Sequence, residues 1–281
     1  MAVDLALKIG GEIISADSRQ VYKGMNLGSG KITKKEMRGI PHHLLDVASP
    51  KKRFSVAQYQ KLARKALKEI LARNKTPIVV GGTGFYIQAL IDGIVLPEVK
   101  PDQKLRAKLE KLSLEKLFER LKKLDPKRAK NIDKNNKRRL IRALEIVLKT
   151  GKPVPPLKEK PLSCPILILG VKKNKEELSQ AIYKRILERL KKRMIAEVRK
   201  IRKSGVSWEK LESFGLEYRW IARYLQQEIS KEEMILNIQK DSEKFAKRQM
   251  TWFKRDKRVN WVKNYKEAKG LVECFLGRLP R

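Results

Sequence analysis

The sequence is short of the residues that staple or metallate small folds. Only two cysteines and two histidines occur in 281 residues. Cys164 and Cys274 are too few and too far apart for a disulfide framework or a tetrahedral zinc site, and they fit a reducing, cytoplasmic setting. His42 and His43 stand beside Pro41 without a carboxylate or cysteine at ligand spacing, so they read as structural or hydrogen-bonding residues. Long hydrophobic runs are also missing: "PILILGV" falls far below the ~20 apolar residues that cross a bilayer. No secretory signal and no solenoid repeat is visible. Acidic residues are scarce, 31 against 67 Lys and Arg, for a formal charge of +36.

That imbalance points to a polyanionic partner, because cations that neutralise phosphates release condensed counterions. A lysine-biased surface is the plainer explanation, but +36 lies far beyond the ~2 to 8 charges that solubility asks of a small domain. Distribution sharpens the argument. Residues 1–50 carry 7 basic and 5 acidic side chains, whereas residues 101–200 carry 31 and 12. The middle of the chain is the expected polyanion-facing part.

An apolar content of 41% supplies a core. Residues 2–9 have helical spacing and stop at Gly10-Gly11. A short β-branched run, 12–16, then ends in Asp17 and Ser18, so a carboxylate lies at the carboxyl end of a strand, where open α/β sheets bind ligands. "IPHHLLDVASP" reads as a loop with a short strand. "FSVAQYQKLARKALKEILARNK" reads as a helix capped by Ser55, "TPIVV" as a fully buried strand, and "GGTGFYIQALIDG" as a glycine turn into a helix. This alternation predicts an α/β fold with a parallel, doubly wound sheet. From Pro97 the pattern becomes Lys- and Leu-rich and helical, with a break near "LDPKR", until Gly151 and Pro153 stop it. "CPILILGV" is expected to resume the sheet as a buried strand, followed by one long helix over 176–203 and another through "NIQKDSEKFAKRQMTWFKR". The expected organisation is a core domain over 1–96, a basic helical insertion over 97–160, and the second part of the core over 161–281.

Several stretches could carry chemistry. "GSGKIT", 28–33, imitates the end of a phosphate loop, but Ile32 stands where a hydroxyl is needed, Met25 where a glycine is needed, and no buried strand leads into it. "KTGKP" fails similarly. "PIVVGGTGFY" is better placed: a glycine turn after a strand lets backbone N–H groups of Gly81 and Gly82 and the Thr83 hydroxyl approach a phosphate, although close packing explains such glycines as often. Asp17 can cap its own turn, or, with Thr83 from a neighbouring strand end, serve as a general base opposite a phosphate site. "KRRLIRALEI" sets Arg138, Arg139 and Arg142 beside an apolar stripe, suiting either a phosphate contact or a solvated basic face. Arg248, Gln249, Thr251 and Trp252 mix guanidinium, amide, hydroxyl and ring, a set that suits a splayed-out base.

Together, "GEIISADSRQVYKGMNLGSGK", "IPHHLLDV", "FSVAQY", "PIVVGGTGFYIQALIDG", "KRRLIRALEI" and "AKRQMTWFKR" resemble, in order and near spacing, the motifs of the bacterial tRNA dimethylallyltransferases, or isopentenyl-tRNA transferases. The resemblance spans almost the whole chain. It implies a P-loop-kinase-like core with a helical insertion, and transfer of a dimethylallyl group from dimethylallyl diphosphate, with Mg²⁺, to N6 of the adenosine 3′ of the anticodon. By motif, Asp17 would take the proton, Thr83 would act near the diphosphate with Gly81 and Gly82, and Arg219 would hold the diphosphate. Ser18, Arg19, Gln20, Arg106, the segment Arg138, Arg139, Leu140, Ile141 and Arg142, and Arg248, Gln249, Thr251 and Trp252 would contact the tRNA. No fixed metal ligand is assigned. A cytoplasmic monomer without membrane contact is expected.

Two departures stand out. The family's first strand and phosphate loop do not precede the helix at 2–9, so the expectation is a chain that transfers poorly or not at all and derives from a longer parent. "FGLEYR" also places Leu216 and Glu217 between the glycine and the Tyr-Arg pair, where Gly-Tyr-Arg is commoner. The rival readings are a small-molecule kinase of the same fold and a noncatalytic RNA-binding protein.

Overall fold

A computed structural model describes residues 1–156 and 158–278. The first part of the chain forms α1 (Ala2–Ile9), β1 (Gly11–Ser15), α2 (Lys34–Met37), β2 (His42–His43), α3 (Val56–Ala72), β3 (Thr76–Val80) and α4 (Gly84–Ile91). Next come β4 (Ile94–Val95), α5 (Gln103–Glu110), α6 (Leu114–Leu124), α7 (Pro126–Lys130), α8 (Lys137–Thr150) and β5 (Lys158–Glu159). The remainder forms β6 (Ile168–Val171), α9 (Lys175–Lys191), α10 (Met194–Lys203), α11 (Trp208–Phe214), α12 (Leu216–Leu225), α13 (Lys231–Phe253), β7 (Val259–Val262) and α14 (Tyr265–Gly277). Two compact units result: Met1–Asp92 with Pro161–Arg281, and Gly93–Lys160.

In the larger unit β1 is central and buried along its whole length, with β2 and β3 parallel on either side. Ile13 faces Ile78, and Ser15 faces Val80. Crossover helices make this arrangement possible: α3 links β2 to β3 and starts at Ser55, whose capping box with Gln58 satisfies otherwise orphaned amides. Buried Tyr59, Ala63, Leu67 and Ile70 on α3 meet Ile14, Ala16, Tyr86 and Leu90 in one cluster. A second cluster gathers Val21, Met25, Ile186, Val198, Leu211, Tyr218, Ile221 and Ile238 from the helices α9 to α13 and the segment after β1.

Three expectations need correction. β3 is half-buried, with Val80 36% exposed, rather than fully buried. β6 does not rejoin the three-stranded sheet: among the described residues it pairs with β7, in parallel, and its Val171 is 52% exposed. The single helix over 176–203 is two, because Arg193 adopts φ 70° and redirects the chain. Apolar spacing continues across that break, which is why periodicity alone does not register it.

The smaller unit has its own core of Leu109, Leu117, Leu121, Leu140, Ile141 and Leu144. β4 and β5 pair antiparallel, so the unit's two ends lie side by side. Asp125 caps α7 and also accepts from the Val154 amide, while Gly151 ends α8 at φ 66°.

Candidate active site

The carboxyl ends of β1 and β3 are locked to one another. The Thr83 amide donates to the Ala16 carbonyl at 3.2 Å, and the Ser18 amide donates to Thr83 Oγ1 at 3.0 Å. Gly81 permits this approach: a Cβ there would lie 2.2 Å from the Ala16 oxygen. Thr83 opens α4 without using its hydroxyl as a helix cap, because that oxygen already serves Ser18. Asp17 stands on the same turn. Its Oδ1 accepts from the amides of Arg19 at 2.7 Å and Gln20 at 3.2 Å, while Oδ2 has no hydrogen-bond donor among the described residues. Capping and an available carboxylate oxygen therefore coexist in one side chain.

The residues after Asp17 turn towards the loop at 26–30. Gln20 accepts from the Ser15 hydroxyl and donates to the Gly30 carbonyl at 3.3 Å. The guanidinium of Arg19 lies 5.7 Å from the Phe214 ring centre, and Lys210 Nζ lies 5.3 Å from it. Burial, with Arg53 and Arg19 nearby, lowers the Lys210 pKa. On α4, Tyr86 stacks on Tyr59 at 4.1 Å, and burial holds its phenol well above the usual range.

The "GSGK" stretch is built for another task. Glu197 on α10 accepts from the amides of Asn26, Leu27 and Gly28, and also from the Tyr218 hydroxyl. A side-chain carboxylate thus fills the anion-seeking loop. Lys31 is consumed too: its ammonium donates to the Tyr22 carbonyl, to Asn26 and to Asp46. Behind this loop, buried Glu217 pairs with Arg189 at 3.0 Å. Burial pushes the Glu217 carboxyl up and the Arg189 guanidinium down, so their bond works against desolvation of both. Arg189 did not stand out in the sequence, and Glu217 stood out only as the unusual residue in "FGLEYR".

The other expected site residues divide sharply. Gln249 Nε2 donates to the Gly82 carbonyl at 2.9 Å, and Trp252 lies against Gly84, so both face the glycine turn. Arg248 and Thr251 are exposed on the same helix. Arg219 does not reach this turn: its long contacts go to the Glu212 carbonyl at 3.4 Å and Asp241 at 3.6 Å. In the smaller unit Arg138 and Arg139 are exposed. Leu140 and Ile141 are core residues, 0% and 5% exposed, which corrects their expected contact with tRNA. Arg106, partly exposed, is bidentate on fully buried Glu145, and Arg142 joins that carboxylate and the Val99 carbonyl. His43, by contrast, bonds Glu12 at 2.6 Å beside Arg73.

Beside Gly84 and Trp252 opens a cavity of about 440 Å³, lined by apolar Ile87, Ile91, Ile168, Phe253 and Val259 and by charged Asp92, Arg255, Asp256, Lys257 and Arg258. No helix among the described residues is long and apolar enough to cross a membrane. Comparison with known proteins places this architecture. The family described as "IPP transferase" matches residues 20–256. The chain is 40% identical to the tRNA dimethylallyltransferase of Caldanaerobacter subterraneus subsp. tengcongensis, over 99% of this chain and 94% of that one. It is 41% identical to that of Carboxydothermus hydrogenoformans, over 95% and 88%. Among solved structures, the tRNA isopentenylpyrophosphate transferase of Bacillus halodurans superposes with a TM-score of 0.71 at 34% identity, covering 98% of this chain and 90% of its own. A eukaryotic dimethylallyltransferase acting on tRNA gives 0.84 at 25% identity, over 99% and 76%. With the family match running over residues 20–256 and relatives about 40% identical over nearly the whole chain, this chain belongs to the IPP transferase family.

Proposed function

We propose that this protein transfers a dimethylallyl group from dimethylallyl diphosphate to N6 of the adenosine 3′-adjacent to the anticodon of tRNA. The observation that carries the reading is the lock between the Asp17 turn and Thr83, which sets a carboxylate oxygen and a hydroxyl on adjoining strand ends. In this reaction N6 attacks C1 of the allyl group, the C1–O bond breaks, diphosphate leaves with the bonding electrons, and N6 loses a proton. Asp17 Oδ2 takes that proton, while the two amides on Oδ1 hold the carboxylate in place. The turn's backbone and Thr83 are assigned to the leaving diphosphate; Arg219, assigned to it by motif, makes long contacts with the Glu212 carbonyl and Asp241 instead of the turn, and would have to swing towards the diphosphate to meet it. Apolar walls beside Gly84 suit the isoprenoid chain. On the larger unit, exposed Arg248 and Thr251, with Ser18, Arg19 and Gln20 nearer the reacting base, are assigned to tRNA; on the smaller unit, exposed Arg138 and Arg139 and partly exposed Arg142 are assigned to tRNA.

A divalent ion, Mg²⁺ by family resemblance, fits the substrate better than a protein cage. Among the described residues no three His, Cys, Asp or Glu side chains come together, and Mg²⁺ commonly takes phosphate oxygens and waters as ligands. When bound it would supply charge to the departing diphosphate. The kinase alternative is not favoured, because Lys31 and the loop amides are already engaged within the chain. The test is mass-spectrometric detection of N6-dimethylallyladenosine after incubation with tRNA and dimethylallyl diphosphate. Product above background, abolished in Asp17→Ala with tRNA binding intact, is expected; tRNA binding with no product from the unaltered chain would put a noncatalytic RNA-binding role in its place.

A further inference from the structure

Helix α13 has two faces with different chemistry. Lys240, Lys244, Lys247 and Arg248 are exposed on it, and Lys254 and Arg255 just beyond its end. Ile238, Ser242, Phe245, Gln249 and Trp252 follow one another at intervals of three or four residues, and so share the opposite stripe. The carboxyl-terminal end of that stripe rests on the glycine turn. Gln249 donates to the Gly82 carbonyl, and a Cβ on Gly82 would lie 1.8 Å from Gln249 Nε2. A Cβ on Gly84 would lie 2.3 Å from the Trp252 indole, which also meets Phe85 edge-on at 6.5 Å. Thr83, between these two glycines, is therefore fixed on one side by β1, through Ala16 and Ser18, and on the other by α13.

We infer that Gln249 and Trp252 are positioning residues that hold the Gly82–Gly84 backbone, and with it Thr83, in its reactive placement, rather than groups that read the tRNA base. The inference rests on the proposed role of Thr83 in transfer. Its logic is geometric. An amide that commits one N–H to a backbone carbonyl, beside a rigid indole that leaves no room for a methyl group on Gly84, fixes that carbonyl's plane and so the direction of the next amide. Small displacements there matter, since a shift of the order of 1 Å in a reacting array costs up to about 100-fold in rate.

Gln249→Ala should therefore lower kcat by about 10- to 100-fold while leaving KM and the directly measured affinity for tRNA unchanged. Gln249→Glu, which sets an acceptor against the Gly82 carbonyl, should not rescue. Gly82→Ala alone should also impair transfer, by collision with Gln249. In the Gly82→Ala, Gln249→Ala double variant the collision is gone, so its activity should match the weaker single variant instead of showing the product of two losses. Weakened tRNA binding with kcat retained, or fully multiplicative losses, would assign Gln249 to the base and overturn the inference. Hydrogen exchange supplies an activity-independent arm: the Thr83 amide should exchange faster in Gln249→Ala at unchanged global stability. If the unaltered chain gives no product, the functional reading fails, and exchange at Thr83 alone decides whether the helix positions the turn; unchanged exchange would refute it.

Discussion

At the scale of single residues, a carboxylate with divided duties sits at the centre. Asp17 spends Oδ1 on two amides and keeps Oδ2. Asparagine can accept the same two bonds but is not a base, so Asp17→Asn should retain the fold and tRNA affinity while transfer falls by about 10²- to 10⁴-fold, as read in single-turnover assays. Glu145 is the structural counterpart. Burial alone would raise its pKa, yet the Arg106 guanidinium, the Asp102 amide and Arg142 outweigh that and hold it at about 2, below the usual 4.5. A depressed folded-state pKa stabilises at pH values above the unfolded value. That contribution should drain away as pH falls from about 4.5 towards 2, visible as a falling Tm, and Glu145→Gln should remove it throughout, costing about 3 kcal/mol by leaving Arg106 badly matched. The sequence could offer Asp17 as cap or base because both need the same side chain in the same place. It could not show that Arg106 was spoken for, since Glu145 lies 39 positions away and reads as one more charge on an amphipathic helix.

Elements are where local rules worked and long-range ones were hidden. Ser55 starts α3 as its spacing to Gln58 requires, and Ser55→Ala should lower stability by about 1 kcal/mol in denaturant titration. The break at Arg193 and the pairing of β6 with β7 are different in kind. Both depend on what packs against the segment, and a four-residue apolar strand has the same pattern whichever neighbour it finds. The loop at 26–30 shows this most plainly. Its glycines resemble a phosphate loop because backbone amides must be exposed in either case, but here Glu197 reaches them from another helix. Glu197→Ala should leave those amides short of partners and cost about 2 kcal/mol by thermal melting.

For the whole molecule, charge and the boundary between units govern behaviour. At +36, affinity for tRNA should fall steeply with salt, and replacing exposed Arg138 and Arg139 by Ala should flatten the log–log slope by about one per residue if they meet phosphates. Filter binding across a salt series reads this directly; an unchanged slope would make them an ordinary solvated face. The smaller unit begins and ends in one two-stranded ladder, and the flanking Ile91 carbonyl accepts from the Leu162 amide, so the entry and exit of the chain are adjacent. Replacing 93–160 with a short Gly-Ser linker should leave the larger unit folded, as judged by a cooperative melt.

By itself the sequence determined the α/β class, the helix starts, the strand that ends at Asp17 and the family to which the chain belongs, because each rests on local propensity or on motifs that stay readable along a line. Tertiary structure decided which polar groups remain available for chemistry. Lys31, Arg106, Gln249 and Trp252 all look available to a reader of the chain, and each is engaged within the fold by groups from other segments. The physical reason is that a side chain's function depends on its unsatisfied hydrogen bonds and open surface, and those are settled only when remote parts of the backbone close around it.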